Sequence, residues 1–146
     1  DRAQLMTDVY GRPFVRTGFE GPSGDAWSVH HVPAANTQAT ATKATAGVGV
    51  RNICTWFTVK FSAGATAPTA VNTSVSLIDG ATGGTTYLWR ATISLPAVAG
   101  SDTGMNSPPE FRGVGTANTA MTLELLAAGG ANTIESVSFG GVTVAE

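Results

Sequence analysis

The sequence predicts an all-β fold: an antiparallel β-sandwich of jelly-roll type with an extended N-terminal arm. Three observations carry that prediction. Apolar and polar residues alternate with period two over 27–31, 50–61, 71–78 and 85–95, the pattern of strands with one buried face. Turn-forming clusters such as Asp79-Gly80-Ala81-Thr82-Gly83-Gly84 and Gly129-Gly130 separate the runs. No segment carries a capped i, i+3, i+4, i+7 stripe, and a parallel sheet would need helical crossovers.

Residues 1–25 form the expected arm. They hold Leu5, Met6, Val9, Tyr10, Phe14, Val15 and Phe19 without a helical period, and are punctuated at Gly11-Arg12-Pro13 and Gly21-Pro22-Ser23-Gly24. So apolar a segment is poorly solvated if loose, so it is expected against its own sandwich or a neighbouring subunit. Residues 26–146 form one sandwich domain, as the length of 146 residues suggests.

Along that domain, Trp27, Val29 and His31 share one strand face up to a stop at Pro33. Residues 36–46 alternate Thr and Ala with little to bury and read as a long loop or a poorly paired edge. The strongest strand is 50–61, with Ile53, Thr55, Phe57, Val59 and Phe61 on the core face and Cys54, Trp56, Thr58 and Lys60 opposite. A hairpin follows, with Val71, Thr73, Val75 and Leu77 answered by Tyr87, Trp89, Ala91, Ile93 and Leu95. Residues 96–109, rich in Gly, Ser and Pro, read as an exposed connection, and 110–114 as a short strand. Met121, Leu123 and Leu125 then alternate with Thr122, Glu124 and Leu126, although the Leu and Ala of 121–128 also suit a helix. A last strand from Thr133 to Phe139 is expected to bulge at Gly140-Gly141 before Val142-Thr143-Val144, giving seven or eight strands in all.

The charge balance excludes several partners. Eight Lys+Arg against ten Asp+Glu lack the basic footprint of phosphate-backbone binding, so no nucleic-acid partner is expected. The apolar runs fall short of the ~18–20 residues of a spanning helix, no secretion signal is visible, and a soluble chain without a membrane partner is expected. Only 12% of residues are charged, about half the usual share, and Thr, Ala, Ser and Gly fill the gap, which predicts a largely neutral surface.

Candidate chemistry is sparse. His30 and His31 are strand neighbours that point to opposite faces and cannot converge on one metal. Cys54 lies within the best strand, where a lone Cys behaves as a small buried hydrophobe. No Gly-x-Ser-x-Gly elbow, phosphate loop or His-Glu-x-x-His is present. Glu110, Glu124 and Glu135 are the candidates for a hydrolytic carboxylate pair, but one Glu per strand facing away from the apolar row is what a solvated sheet face shows. Asp79 and Asp102 bring one acid each to their Gly-rich loops, which suits turn chemistry better than Ca²⁺. No catalytic residue, metal or cofactor is expected. Among the tryptophans, Trp89 shares the core register, whereas Trp56 is the candidate for an exposed or interface position.

Three passages carry a resemblance. Asp8-Val9-Tyr10-Gly11-Arg12-Pro13-Phe14-Val15, then Arg51-Asn52-Ile53-Cys54-Thr55 with Leu77-Ile78-Asp79-Gly80-Ala81-Thr82-Gly83-Gly84-Thr85, and Gly115-Thr116-Ala117-Asn118-Thr119-Ala120-Met121-Thr122-Leu123-Glu124 resemble small structural proteins of tailed-bacteriophage and prophage virions. Size, fold and apolar arm are similar to those of cement, or decoration, proteins. The resemblance implies a jelly-roll or sandwich protein, made in the host cytoplasm, that binds the capsid exterior as a dimer or trimer. It implies the major capsid protein as partner and shell reinforcement, not catalysis, as function. Within that reading Tyr10 and Phe14 are candidate anchors for a neighbour's pocket, and Arg12 and Arg16 candidate partners for acidic groups on the shell. The alternative is a receptor-binding or fibre-associated sandwich that holds a host glycan.

Overall fold

The computed structural model describes residues 26–129 and 132–145, together with the backbone of Met6–Thr7 (β1) and Pro13–Phe14 (β2), which pair antiparallel. The rest of the expected arm lies outside the described residues. Two antiparallel sheets pack face to face, and no helix occurs among the described residues. The first sheet runs in the order Ala26–His31 (β3), Ile134–Ala145 (β11), Val50–Ser62 (β5), Asp102–Asn106 (β8), and Gly113–Val114 (β9) also pairs with β5. The second runs Ala39–Lys43 (β4), Met121–Leu125 (β10), Asn72–Asp79 (β6), Tyr87–Ser94 (β7).

The core follows from the alternation. Phe57 and Val59 of β5 with Val137 and Phe139 of β11 meet Val75 and Leu77 of β6 and Met121, Leu123 and Leu125 of β10, all buried. Each such side chain contributes roughly 1.5–3 kcal/mol, so this layer, not surface charge, holds the sheets together. Phe57 ties in the margins: its ring lies 4.6 Å from Trp89 and 5.1 Å, edge-on, from Phe111. A second cluster of Phe61, Leu95 and Ala128, with Ala70 against it, closes one end of the sandwich.

The stretch expected as a long loop or a poorly paired edge is a well-paired edge strand, and part of the stretch expected as an exposed connection is a strand too. β4 pairs with β10 over five residues, and its Ala39 and Ala41 are buried. Their small size lets an edge strand lie close on the core, so the lack of large apolar residues did not mean poor pairing. β8 lies inside the Gly, Ser and Pro-rich stretch and pairs with β5 from Thr58 to Ser62. Its backbone ladder is joined by the Lys60–Asp102 ion pair, the Thr58 hydroxyl donating to Asn106, and Met105 against the core, none of which shows as an apolar alternation. By contrast the strand expected at 110–114 shrinks to Gly113–Val114, and the alternation at 121–125 forms a strand, not a helix.

The expected bulge forms, with its extra residue on the facing strand. Trp56 pairs with Gly140 and Cys54 with Gly141, which leaves Thr55 unmatched. Parity along β5 therefore flips at Thr55. Cys54 joins the core with Phe57 and Thr55 is exposed, reversing their expected faces, while Ile53 is buried as expected but stands outside the inter-sheet cluster. A second shift, between Leu77 and Ile78, pairs Leu77 with Trp89 and Ile78 with Tyr87, leaving Leu88 as the extra residue. Trp89 accordingly packs on the core, and Tyr87, expected inward, is 43% exposed. Val71, also expected inward, precedes the first ladder residue and is exposed.

The glycines at the first bulge are dictated by close approach. A Cβ on Gly141 would lie 1.8 Å from the Ile53 carbonyl oxygen, and one on Gly140 would lie 2.6 Å from the Trp27 carbonyl oxygen. Backbone cannot yield as a side chain can, so we predict that Gly141→Ala lowers unfolding stability by about 3 kcal/mol, at the upper end of overpacking costs. Urea denaturation checks this; an unchanged midpoint would mean that the two backbones are not so close.

Candidate interaction surface

The β5–β11 bulge shapes the outer face of the first sheet. Trp56 stands opposite Gly140, and a Cβ there would fall 2.7 Å from the indole carbons, so the ring lies over the glycine as a larger neighbour would not permit. Trp56 remains 41% exposed. Beyond the bulge Ile53 pairs with Val142 on one side and Val114 on the other. A cleft of about 410 Å³ opens here, lined by Ile53, Thr55, Val142, Phe111, Glu110 and Arg112. Its walls are mainly hydrocarbon, while Glu110 and Arg112 bring opposite charges to it. Glu110 sits at φ 57°, a left-handed conformation that costs a non-glycine residue roughly 1–2 kcal/mol.

The structure places Trp56 on this open face. Tyr10, Arg12 and Arg16 lie outside the described residues, and of Phe14 the structure describes only its backbone in β2. The segment 1–25 joins β3 at Ala26, which pairs with Val142, itself paired with Ile53.

The other chemical groups are dispersed. His31 accepts the Thr40 N–H at Nδ1 over 3.0 Å, tying β3 to β4 across the sandwich margin, while His30 is exposed. The Cys54 thiol donates to the Trp56 carbonyl over 3.3 Å, and burial pushes its pKa up to about 12, so it is an inert thiol at neutral pH. The Asp79 carboxylate accepts the Thr116 N–H at 3.0 Å and its hydroxyl at 2.6 Å. Asp102 meets Lys60 at 2.6 Å, and the hydrogen bond and charge of that lysine hold the carboxyl below its ordinary range. Among the described residues no group of three or more His, Cys, Asp and Glu could hold a metal ion.

The three glutamates do not converge. Glu110 is in the β8–β9 connection. Glu124, on the outer face of the second sheet, accepts the Gly83 N–H at 2.7 Å and the Thr82 hydroxyl, which folds the β6–β7 turn over that face and buries the acid. Glu135, expected on a solvated face, is fully buried. It shares the inward parity of Val137 and Phe139 and pairs with Phe61 at the closed end; the parity was available in the sequence. Its Oε1 accepts the Ala128 N–H at 3.4 Å, and Oε2 has no hydrogen-bond partner among the described residues.

No protein-family model, curated protein or solved structure matches the chain.

Burial raises the Glu135 pKa, and the Ala128 N–H offsets only part of the shift. A carboxyl whose folded value exceeds its unfolded value is bound more tightly by protons in the native state. The Glu135 contribution to stability is therefore full below the ordinary carboxylate range and is predicted to be lost as pH rises toward and through the raised value. Glu135→Gln should flatten that pH dependence and raise Tm at pH 8, by about 2–4 °C for each kcal/mol regained. Melting curves from pH 4 to 8 decide it; a variant that melts below the native chain at pH 8 would mean that the carboxylate is stabilised by contacts the structure does not contain.

Proposed function

We propose that the chain is a structural virion protein that binds the outer surface of a tailed-phage capsid and bridges adjacent shell subunits, associating also with copies of itself. The observation that carries this reading is the asymmetry of the two outer faces. The second sheet is covered by its own turn, with Thr122, Glu124, Ser76 and Ile78 all buried there, whereas the first leaves Trp56 and Val114 exposed beside an apolar cleft.

Several features support it. Strand order supports a jelly-roll reading: β3-β11-β5-β8 against β4-β10-β6-β7 is the order that two interleaved Greek keys require. Thr and Ser rows on the strands lose little on desolvation compared with charge, and charged groups are depleted from interface cores. An exposed indole beside an apolar cleft has the chemistry of a binding anchor. The arm joins the sheet at the row that floors the cleft, so Tyr10 and Phe14 would extend the apolar contact and Arg12 and Arg16 would pair with shell carboxylates. Many copies on one particle make even modest contacts strong together.

The test is reconstitution on particles stripped of the protein. Added protein is expected to bind at hundreds of copies spread over the shell and to restore resistance to heat and chelation. Trp56→Ala should weaken binding by about tenfold or more while Tm stays unchanged. Removal of residues 1–20 should abolish bridging with the sandwich still folded. Particles that keep their resistance without the protein but lose host adsorption would overturn the cement reading in favour of a glycan-binding module.

A further inference from the structure

β7 ends the second sheet, and among the described residues its ladder partner is β6 alone. The other margins are shorter. β4 and β3, of five and six residues, are tied to each other by the Thr40 N–H to His31 bond, and β8 has five residues and includes Asp102 and Gly104. β7 has eight residues, Tyr-Leu-Trp-Arg-Ala-Thr-Ile-Ser, without proline, glycine, lysine or an acid. Those are the residues with which soluble proteins blunt an open edge. Its one charge, Arg90, turns back over the Tyr87 ring at 4.8 Å.

The direction of the unpaired backbone groups follows from the ladder. Leu95 donates its N–H to the Val71 carbonyl over 2.8 Å, so by alternation Ile93, Ala91 and Trp89 present their backbone groups to β6, and Ser94, Thr92 and Arg90 present theirs outward. We propose that this edge is a self-association surface, on which the β7 strands of two copies pair antiparallel about a twofold axis through Ala91.

The sequence of the strand is self-complementary in that register. Ala91 faces its own copy, Arg90 faces Thr92, and Trp89 faces Ile93, so the inner faces of the two sheets run on continuously. Arg90 and Thr92 form the hydrogen-bonded pairs. Ala91 falls at a non-hydrogen-bonded pair, where Cα atoms approach to about 4.5 Å and a small side chain fits best. Centring on Arg90 would oppose two guanidiniums, and centring on Thr92 would shorten the ladder. The half-buried Trp89, held against Phe57, would gain cover from Ile93 of the second copy. A single strand pair buries less than the ~1,200 Å² of a stable interface, so the contact is weak in dilute solution and gains strength in an array. It rests on the self-association part of the reading above, not on the shell, and its test needs no particle.

Disulfide capture tests it in the full chain, because the native Cys54 is buried with its thiol pKa near 12 and stays silent. Ala91→Cys should form an intermolecular disulfide under mild oxidation, since ~4.5 Å between Cα atoms lies within disulfide geometry. Val48→Cys, on a loop residue that is 88% exposed, is the control for random collision. Adding Thr92→Pro removes an outward N–H without touching the β6 ladder, and should cut the disulfide dimer by about tenfold with melting unchanged. Ala91→Cys cross-linking no faster than Val48→Cys, or equally fast in a folded Thr92→Pro background, would overturn the proposal. If the proline variant does not fold, the comparison of the two cysteines decides alone. Dimer capture with no shell binding would fail the shell reading and leave this one standing.

Discussion

The close passage of β11 at Gly140-Gly141, Gly141 against the β5 backbone and Gly140 against the β3 backbone and the Trp56 ring, is the constraint on which the rest of this structure depends. β5 and β11 are the longest strands and the inner pair of their sheet, and only residues without a Cβ let them approach there. Thr55 is left over as a result, and the strand changes face at that point. Everything beyond it is reassigned: Cys54 turns into the core, Ile53 turns to the outer side, and Trp56 is laid across a glycine. Without the shift, the cleft beside Trp56 would lose its Ile53 wall.

The same fold treats its two outer faces differently. On the second sheet, Glu124 draws the β6–β7 turn down by its Gly83 N–H and Thr82 hydroxyl, and Asp79 secures the neighbouring β9–β10 connection through Thr116. Polar groups are spent within the molecule there, leaving little for a partner to grip. On the first sheet, the bulge leaves hydrocarbon at the surface, and among the described residues no turn folds across Trp56. The proposed contact role would need such a difference, because two equally sticky faces would promote indiscriminate association. The β7 edge, whose one charge turns back over Tyr87, would add on the proposed reading a third kind of contact, made by backbone instead of side chains.

Much of the fold was legible in the sequence, for a definite reason. Strands with one apolar face, such as β3 and the distal half of β5, declare themselves by period two, and Gly-rich turns mark their ends. Legibility failed where backbone geometry acts without a side-chain signature. β8 is held by its ladder to β5 and has a loop's composition; β4 was hidden by the smallness of Ala39 and Ala41, which is the property that fits it to its place. Both parity errors came from bulges, since one extra residue reverses every later assignment on a strand. The Gly-Gly pair announced the first bulge but not the strand that bears it, and nothing comparable announced Leu88. Glu135 is a different case: its parity with Val137 and Phe139 pointed inward, and the expectation that acids face water overrode it. Of the candidate surface, Trp56 was readable as the odd aromatic of its strand, whereas the cleft depends on the parity shift and was not.

Hydroxyl-radical footprinting of the protein on assembled particles tests the central claim most directly, that the face shaped by the bulge is the face that meets the partner. Trp56 and Val142 should be protected several-fold relative to the protein in solution, while exposed Thr82 and Ala81 on the self-covered face keep their solution reactivity. Equal labelling of Trp56 in the bound and unbound protein, or protection confined to the turn over the second sheet, would contradict the account.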